Sequence, residues 1–260
     1  MLNRVANLVL RKLEKLANRY LIWVNDNSSD FLKNGEYELL KRLRGFNFKK
    51  VFDIGANTGD WSHLAQTEFP NAEFHLFEIS KSTFSILDQS NKCFKVNNLG
   101  LARSDGTVLY KDYGPTNGAN STVLDVDFAG PLFSLRNAKV VRGDNYCLRN
   151  NIEHIDFLKI DVEGGEYSVL EGFEAMFHRR AIRWCQFEYG YASGDSGFLM
   201  RDFYKFFNKF GYKIGVIRKR GVCFQDFEYK LNLFTSGPNY FAVHLDDQEI
   251  LEAVGFGKRS

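Results

Sequence analysis

VFDIGANTGDWS, residues 51–62, decides the fold class of this chain. Val51, Phe52 and Ile54 make a short apolar run around Asp53, the pattern of a strand buried on both faces. Gly55 and Gly59 then bracket a tight loop, and residues 58–69 read as a helix. A buried strand that passes through a glycine loop into a helix opens an open α/β sheet with a ligand at the strand's carboxyl end. The glycines admit positive φ and let a ligand approach the backbone. The helix start offers unpaired N–H groups to an anionic group such as an amino-acid carboxylate. Asp53 is expected to face the positive end of the same ligand, directly or through water. The spacing is G-x-x-x-G and not G-x-G-x-x-G, which speaks against a pyrophosphate and against NAD.

Two further stretches extend this reading. In FHLFEIS, residues 74–80, Glu78 ends a second strand. An acid roughly twenty residues past the first loop can accept both hydroxyls of a ribose. In IDFLKIDVEGGEYSVLEG, residues 155–172, Lys159, Asp161 and Glu163 alternate along a strand end and so share one face. Gly164 and Gly165 turn the chain, and Glu166 begins a helix where negative charge is favoured. Three charges beside the carboxyl end of a strand lie where such sheets bind ligands.

Outward from these motifs, short apolar runs alternate with helical stretches. Strands are expected at 51–54, 74–78, 93–96, 107–110, 157–161, 182–188, 212–217 and 240–244, and helices at 35–44, 58–69, 80–90, 166–177, 198–210 and 246–254. That alternation predicts a doubly wound, mostly parallel α/β sheet with right-handed crossovers and one antiparallel strand near its end. Residues 114–131 read as irregular. Within them Asn117-Gly118-Ala119-Asn120-Ser121-Thr122 is polar and fits either a loop over the ligand or an ordinary surface loop. Residues 1–24 read as an amphipathic helix, with Leu2, Val5, Val9, Leu13, Leu16 and Tyr20 at helical spacing. Its basic residues suit a peripheral membrane contact; packing against the active site or a second subunit of a homo-oligomer is the favoured use. The chain is divided accordingly into a helical extension over 1–45 and a catalytic domain over 46–260.

Composition narrows the function. The 260 residues are 44% hydrophobic and 25% charged, as in an ordinary globular domain. Lys and Arg total 34 against 32 Asp and Glu, so nothing demands a polyanion, and nucleic acid is a poor substrate. Cys93, Cys147, Cys185 and Cys223 lack zinc-ligand spacing and read as buried free thiols of a reducing compartment. Residues 1–24 are too interrupted by charge for a signal peptide, and no apolar run is long enough to span a bilayer, so a cytoplasmic location is expected.

DIGANTG, the Glu at the second strand, and especially LKIDVEGGEYSVLEG resemble the FkbM-type methyltransferases over roughly residues 34–212. Ile79-Ser80-Lys81 departs from the family, many members of which have Pro soon after the second-strand Glu. The resemblance implies a class I, Rossmann-like seven-stranded sheet and use of S-adenosylmethionine (SAM), with S-adenosylhomocysteine (SAH) as product. It implies O-methylation of a hydroxyl on a sugar, glycan or related small molecule. It carries Asp53, Gly55, Asn57 and Gly59 to the SAM loop, Glu78 to the ribose, and Asp161 and Glu163 to the methyl-transfer centre. Candidates for deprotonating the acceptor are Asp161, Glu188 and His154, in that order. Glu163, Lys159 and Tyr189 are candidate substrate contacts. A minority reading has Asp161 and Glu188 bind magnesium that polarises the acceptor oxygen. The competing functions are a nicotinamide-dependent oxidoreductase on a similar sheet and a non-catalytic SAM-binding protein.

Overall fold

The computed structural model describes residues 10–16, 28, 30–90, 92–115, 117–125, 130, 132–233 and 239–256. The chain enters the sheet through α1 (Glu36–Leu43), β1 (Lys50–Ile54), α2 (Asp60–Glu68), β2 (Glu73–Phe77), α3 (Lys81–Ser90) and β3 (Lys95–Asn97). It then leaves for β4 (Gly100–Ala102), β5 (Gly106–Asp112), β6 (Ser134–Arg142) and α4 (Gly143–Arg149). It returns through β7 (Ile155–Ile160), α5 (Glu166–Gly172), α6 (Glu174–His178), β8 (Ile182–Glu188), α7 (Tyr191–Asp195) and α8 (Met200–Lys209). It closes with β9 (Tyr212–Arg218), β10 (Gly221–Phe224), a 3-10 turn (Tyr229–Leu233), β11 (Asn239–His244) and α9 (Gln248–Val254).

The main sheet has the order β10-β9-β11-β8-β7-β1-β2-β3. β1 pairs in parallel with β2 and β7, and β7 with β8, while β11 runs antiparallel to both β8 and β9. Successive side chains on a strand point to opposite faces, so Val51 and Phe52 enter different cores. Phe52, Leu158, Phe173, Phe177 and Phe207 belong to one layer, and Val51, Trp61, Phe74, Phe157 and Phe241 to the other. This two-sided burial is why β1 carries no exposed residue. α1 joins the second layer through Leu39, Leu40 and Leu43, each fully buried.

Eight strands stand where seven are expected. Gly221 adopts a φ of 117°, and the four residues of β10 fold back antiparallel on β9. A second sheet, β4-β6-β5, comes from a region that the sequence renders only as one extended piece and an irregular stretch. β6 is exposed along its first four residues, so the apolar alternation that marks a strand is confined to its end. The single helix expected over 166–177 is two, because Asp144 accepts hydrogen bonds from the Ala175 and Met176 N–H groups at 3.2 and 3.1 Å and restarts the helix as α6. Cys147 and Cys185 are buried, but Cys93 is exposed and Cys223 half-buried, contrary to the expectation of four buried thiols.

Residues 10–16 are helical, with Leu10, Leu13 and Leu16 exposed. The rest of the amphipathic pattern expected over 1–24 lies outside the described residues. Among the described residues no helix is long and apolar enough to cross a membrane.

Candidate active site

Two loops at the carboxyl ends of β1 and β7 are packed backbone against backbone. The Asp161 N–H donates to the Ile54 carbonyl at 2.9 Å. Gly55 has a φ of 81°, and a Cβ there would lie 1.7 Å from the Asp161 carbonyl oxygen. Only glycine fits. The Gly55 and Ala56 N–H groups both donate to the Phe77 carbonyl at 3.0 Å, which ties the loop to the end of β2. Asn57, with φ 48°, donates its N–H to Glu78 Oε2 at 3.1 Å, and Ser80 N–H donates to Glu78 Oε1 at 2.7 Å. Glu78 is 6% exposed. Burial pushes its carboxyl up to about 7, against the pull of those two N–H donors.

Beneath these loops lies a cavity of about 360 Å³, the scale of a small-ligand site. Beside Glu78 its wall is apolar, made by Ile79, Leu101, Val108 and Val140. At the other end it is acidic. Asp161, Glu163 and Glu188 present carboxylate oxygens that all lie within 4.8 Å of one another. Burial and the neighbouring acids raise Glu163 to about 8 and Glu188 well above its ordinary value. Glu163 holds a left-handed φ of 53°, uncommon for a residue with a side chain, and Ser121 Oγ donates to its carbonyl. Glu166, 1% exposed, pins the turn before it: its carboxyl accepts from Val162 N–H at 3.1 Å, Gly164 N–H at 3.0 Å and Ser193 Oγ at 3.2 Å.

The expected residues divide into those at the cavity and those behind it. Gly55, Asn57, Glu78, Asp161, Glu163 and Glu188 line it. Gly59 sits just below, with φ 88°, as the residue that starts α2. Asp53 is fully buried, and its carboxylate accepts from Ser62 Oγ at 2.7 Å and Lys159 Nζ at 3.0 Å. Lys159, 4% exposed, also reaches Asp161 Oδ2 at 3.3 Å. Burial opposes the charge of Lys159, but Asp53, Asp161 and Glu36 outweigh it and hold the ammonium's pKa above its usual value. Lys159 therefore braces the acids from behind and does not line the cavity, unlike the substrate contact expected of it.

Two expected residues are elsewhere. His154 precedes β7, at its amino end, where it lines a shallow depression with Asn47, Lys49 and Asp156. The length of a six-residue strand, roughly 20 Å, separates it from the acids. Tyr189 follows Glu188 and so points to the other side; it is 1% exposed among Phe203 and Tyr240.

Sequence reasoning missed the wall supplied by the flanks. Glu36 of α1 is 6% exposed and lines the cavity with Asn34 and Asn239. Its carboxyl accepts from Asn34 Nδ2 at 2.6 Å, from Asn239 Nδ2 at 2.9 Å and from Gln186 Nε2. The signal was an acid at the start of a predicted helix, which any solvated helix also shows. The 117–122 loop lines the cavity through Asn117, Gly118, Asn120 and Thr122.

Comparison with known proteins gives the lineage. A curated "Methyltransferase 1" of Beauveria bassiana is 26% identical over 145 residues, which cover 48% of this chain and 58% of that one. The chain thus spans somewhat over half the length of that relative. Among solved structures, a caffeoyl-CoA O-methyltransferase homologue from Staphylococcus aureus matches at TM-score 0.42 and 11% identity, over 94% of this chain and 100% of that one. A precorrin-6y C5,15-methyltransferase from Geobacter metallireducens matches at TM-score 0.42 and 12% identity, over 83% and 90%. Residues 53–214 match the methyltransferase FkbM domain, from the buried Asp53 through the acid cluster to β9. The chain belongs to the FkbM methyltransferase family.

Proposed function

We propose that the chain transfers a methyl group from SAM to a hydroxyl oxygen of a sugar, glycan or related small hydroxylated molecule. The observation that carries this reading is one continuous cavity lined by the glycine loop, by Glu78 and by the acids Asp161, Glu163 and Glu188. The residues present suit SAM. The start of α2 offers N–H groups to the methionyl carboxylate. Glu78 offers two oxygens to the ribose hydroxyls. Leu101, Val108 and Val140 offer an apolar slot to a purine. Asn57 Oδ1 is buried without a hydrogen-bond partner and awaits a donor.

SAM, when bound, supplies an electrophilic methyl group on a cationic sulfur. The chain's own task is to align an oxygen and manage its proton. Asp161, on the strand end that touches the glycine loop, orients the acceptor hydroxyl and takes its proton. Lys159, 3.3 Å from the same carboxylate, holds Asp161 in place. Glu188, whose carboxylate oxygen lies within 4.8 Å of those of Asp161 and Glu163, meets a second polar group of the acceptor. Gly55 and Val162 close the backbone behind the centre and keep water from that side.

Replacing Asp161 with Asn tests the reading. SAM affinity by calorimetry should stay within a few-fold, while turnover falls by about 10²–10⁴. Unchanged turnover removes Asp161 from the role, and SAM binding without methyl transfer to any hydroxylated acceptor in the unaltered chain would favour a non-catalytic binder.

A further inference from the structure

The cavity is lopsided in charge. It is lined by the carboxyls of Glu36, Glu78, Asp161, Glu163 and Glu188, and among the described lining residues there is no Lys, Arg or His. Lys159 does not redress this, because it lies behind the wall and is divided between Asp53 and Asp161. Nor can Glu36 swing away, held as it is by the amides of Asn34, Gln186 and Asn239. Gln186, 1% exposed, spends its Nε2 on Glu36 and leaves its Oε1 without a partner, so the wall gains no donor there. SAM, with an ammonium, a sulfonium and one carboxylate, is a net cation and suits such a lining.

For the acceptor the consequence is sharper. At an effective dielectric of about 20, one carboxylate roughly 5 Å away disfavours a unit anion by about a hundredfold or more. Three carboxyls converge at the acceptor end. Burial and the Asp161 and Glu166 carboxyls raise Glu163 to about 8 against the weaker pull of Lys159, so a further cation among these acids is favoured. A protonated amine supplies that cation and three donors. A dication is the poorer occupant, since the Lys159 ammonium already stands 3.3 Å from Asp161 Oδ2.

Resting on the methyltransferase reading, we propose that the acceptor end sorts by charge. A hydroxylated acceptor bearing a protonated amine, held by Asp161, Glu163 and Glu188, is taken ahead of its neutral counterpart. One with a carboxylate or phosphate beside the reacting hydroxyl is refused.

The test uses the full chain loaded with SAH, titrated by ligand-observed NMR at pH 7 with three matched probes. These are methyl 2-amino-2-deoxyglucoside, methyl glucoside and methyl glucuronide. The amine should bind at least tenfold more tightly than the neutral glycoside, and the glucuronide should not bind. In the E163Q/E188Q double variant the amine's advantage should shrink to about twofold. Binding of the glucuronide as tight as that of the amine, or no binding by any probe, overturns the proposal. Displacement of the amine by millimolar magnesium also overturns it, by assigning the carboxylates to a dication. Calorimetry with SAH alone separates the two levels: failure to bind SAH sinks the methyltransferase reading itself, and the charge rule with it.

Discussion

Lys159→Met should destabilise the protein far more than any surface substitution. The ammonium of Lys159 is 4% exposed and makes a 3.0 Å contact with the fully buried carboxylate of Asp53. Methionine keeps most of the side-chain stem against Trp61, over whose ring the ammonium now sits at 5.5 Å. What it removes is the counter-charge. Asp53 then keeps Ser62 Oγ, 2.7 Å away, as a side-chain donor, and breaking a buried pair by deleting one partner costs about 3–5 kcal/mol. At about 2–4 °C per kcal/mol for a chain of this size, the midpoint of thermal unfolding should fall by roughly 6–20 °C. Differential scanning calorimetry at pH 7 measures it directly. The double variant D53N/K159M, which removes both charges, should recover at least half the loss, because a neutral pair needs no counter-ion. A midpoint within about 2 °C of the parent for K159M would refute the claim that this pair holds the floor of the site.

Glu78→Gln should lower SAM affinity by about 10–100-fold by calorimetry while leaving the fold intact, since it removes a charged acceptor from the ribose position. Stability should fall as pH rises from about 4.5 to 8. Glu78 is raised to about 7 and Glu163 to about 8, so the native state holds protons there that the unfolded chain has released. Glu73 and Asp105, lowered to about 2, titrate below that window. The slope of the unfolding midpoint against pH should flatten in E78Q and E163Q; an unchanged slope would dismiss both assignments. His154→Ala should leave methyl transfer within twofold of the parent, and a large loss in a steady-state assay would return that residue to the active centre.

The glycine loop and Glu78 were legible as cavity residues because their signals are local. A strand, a glycine loop and a helix start fall within twelve consecutive residues, and Glu78 needs only one strand more. The acid cluster was partly legible: Asp161 and Glu163 share a motif, and Glu188 ends the next strand. Lys159 shows where the reading stopped. Alternation puts Lys159 and Asp161 on one face, but register decides that Lys159 stands opposite Asp53 on β1, and register is not written in a single strand. Tyr189 failed for a simpler reason, since one step along the chain exchanges cavity for core. Glu36 was invisible because its partners Gln186 and Asn239 lie 150 and 203 positions away. The three-stranded sheet was missed because β4 is three residues long and the exposed half of β6 lacks apolar alternation.

The anchoring of Glu36 has an evolutionary consequence. Asn34 and Glu36 precede residues 53–214, the part that matches the family's domain, and Asn239 follows them. Gly55, Glu78, Asp161, Glu163 and Glu188 thus fall within one matched stretch, while part of the cavity wall is stitched from sequence on either side of it. The charge and shape of that part of the wall can therefore change at Asn34, Glu36 and Asn239 without touching the glycine loop.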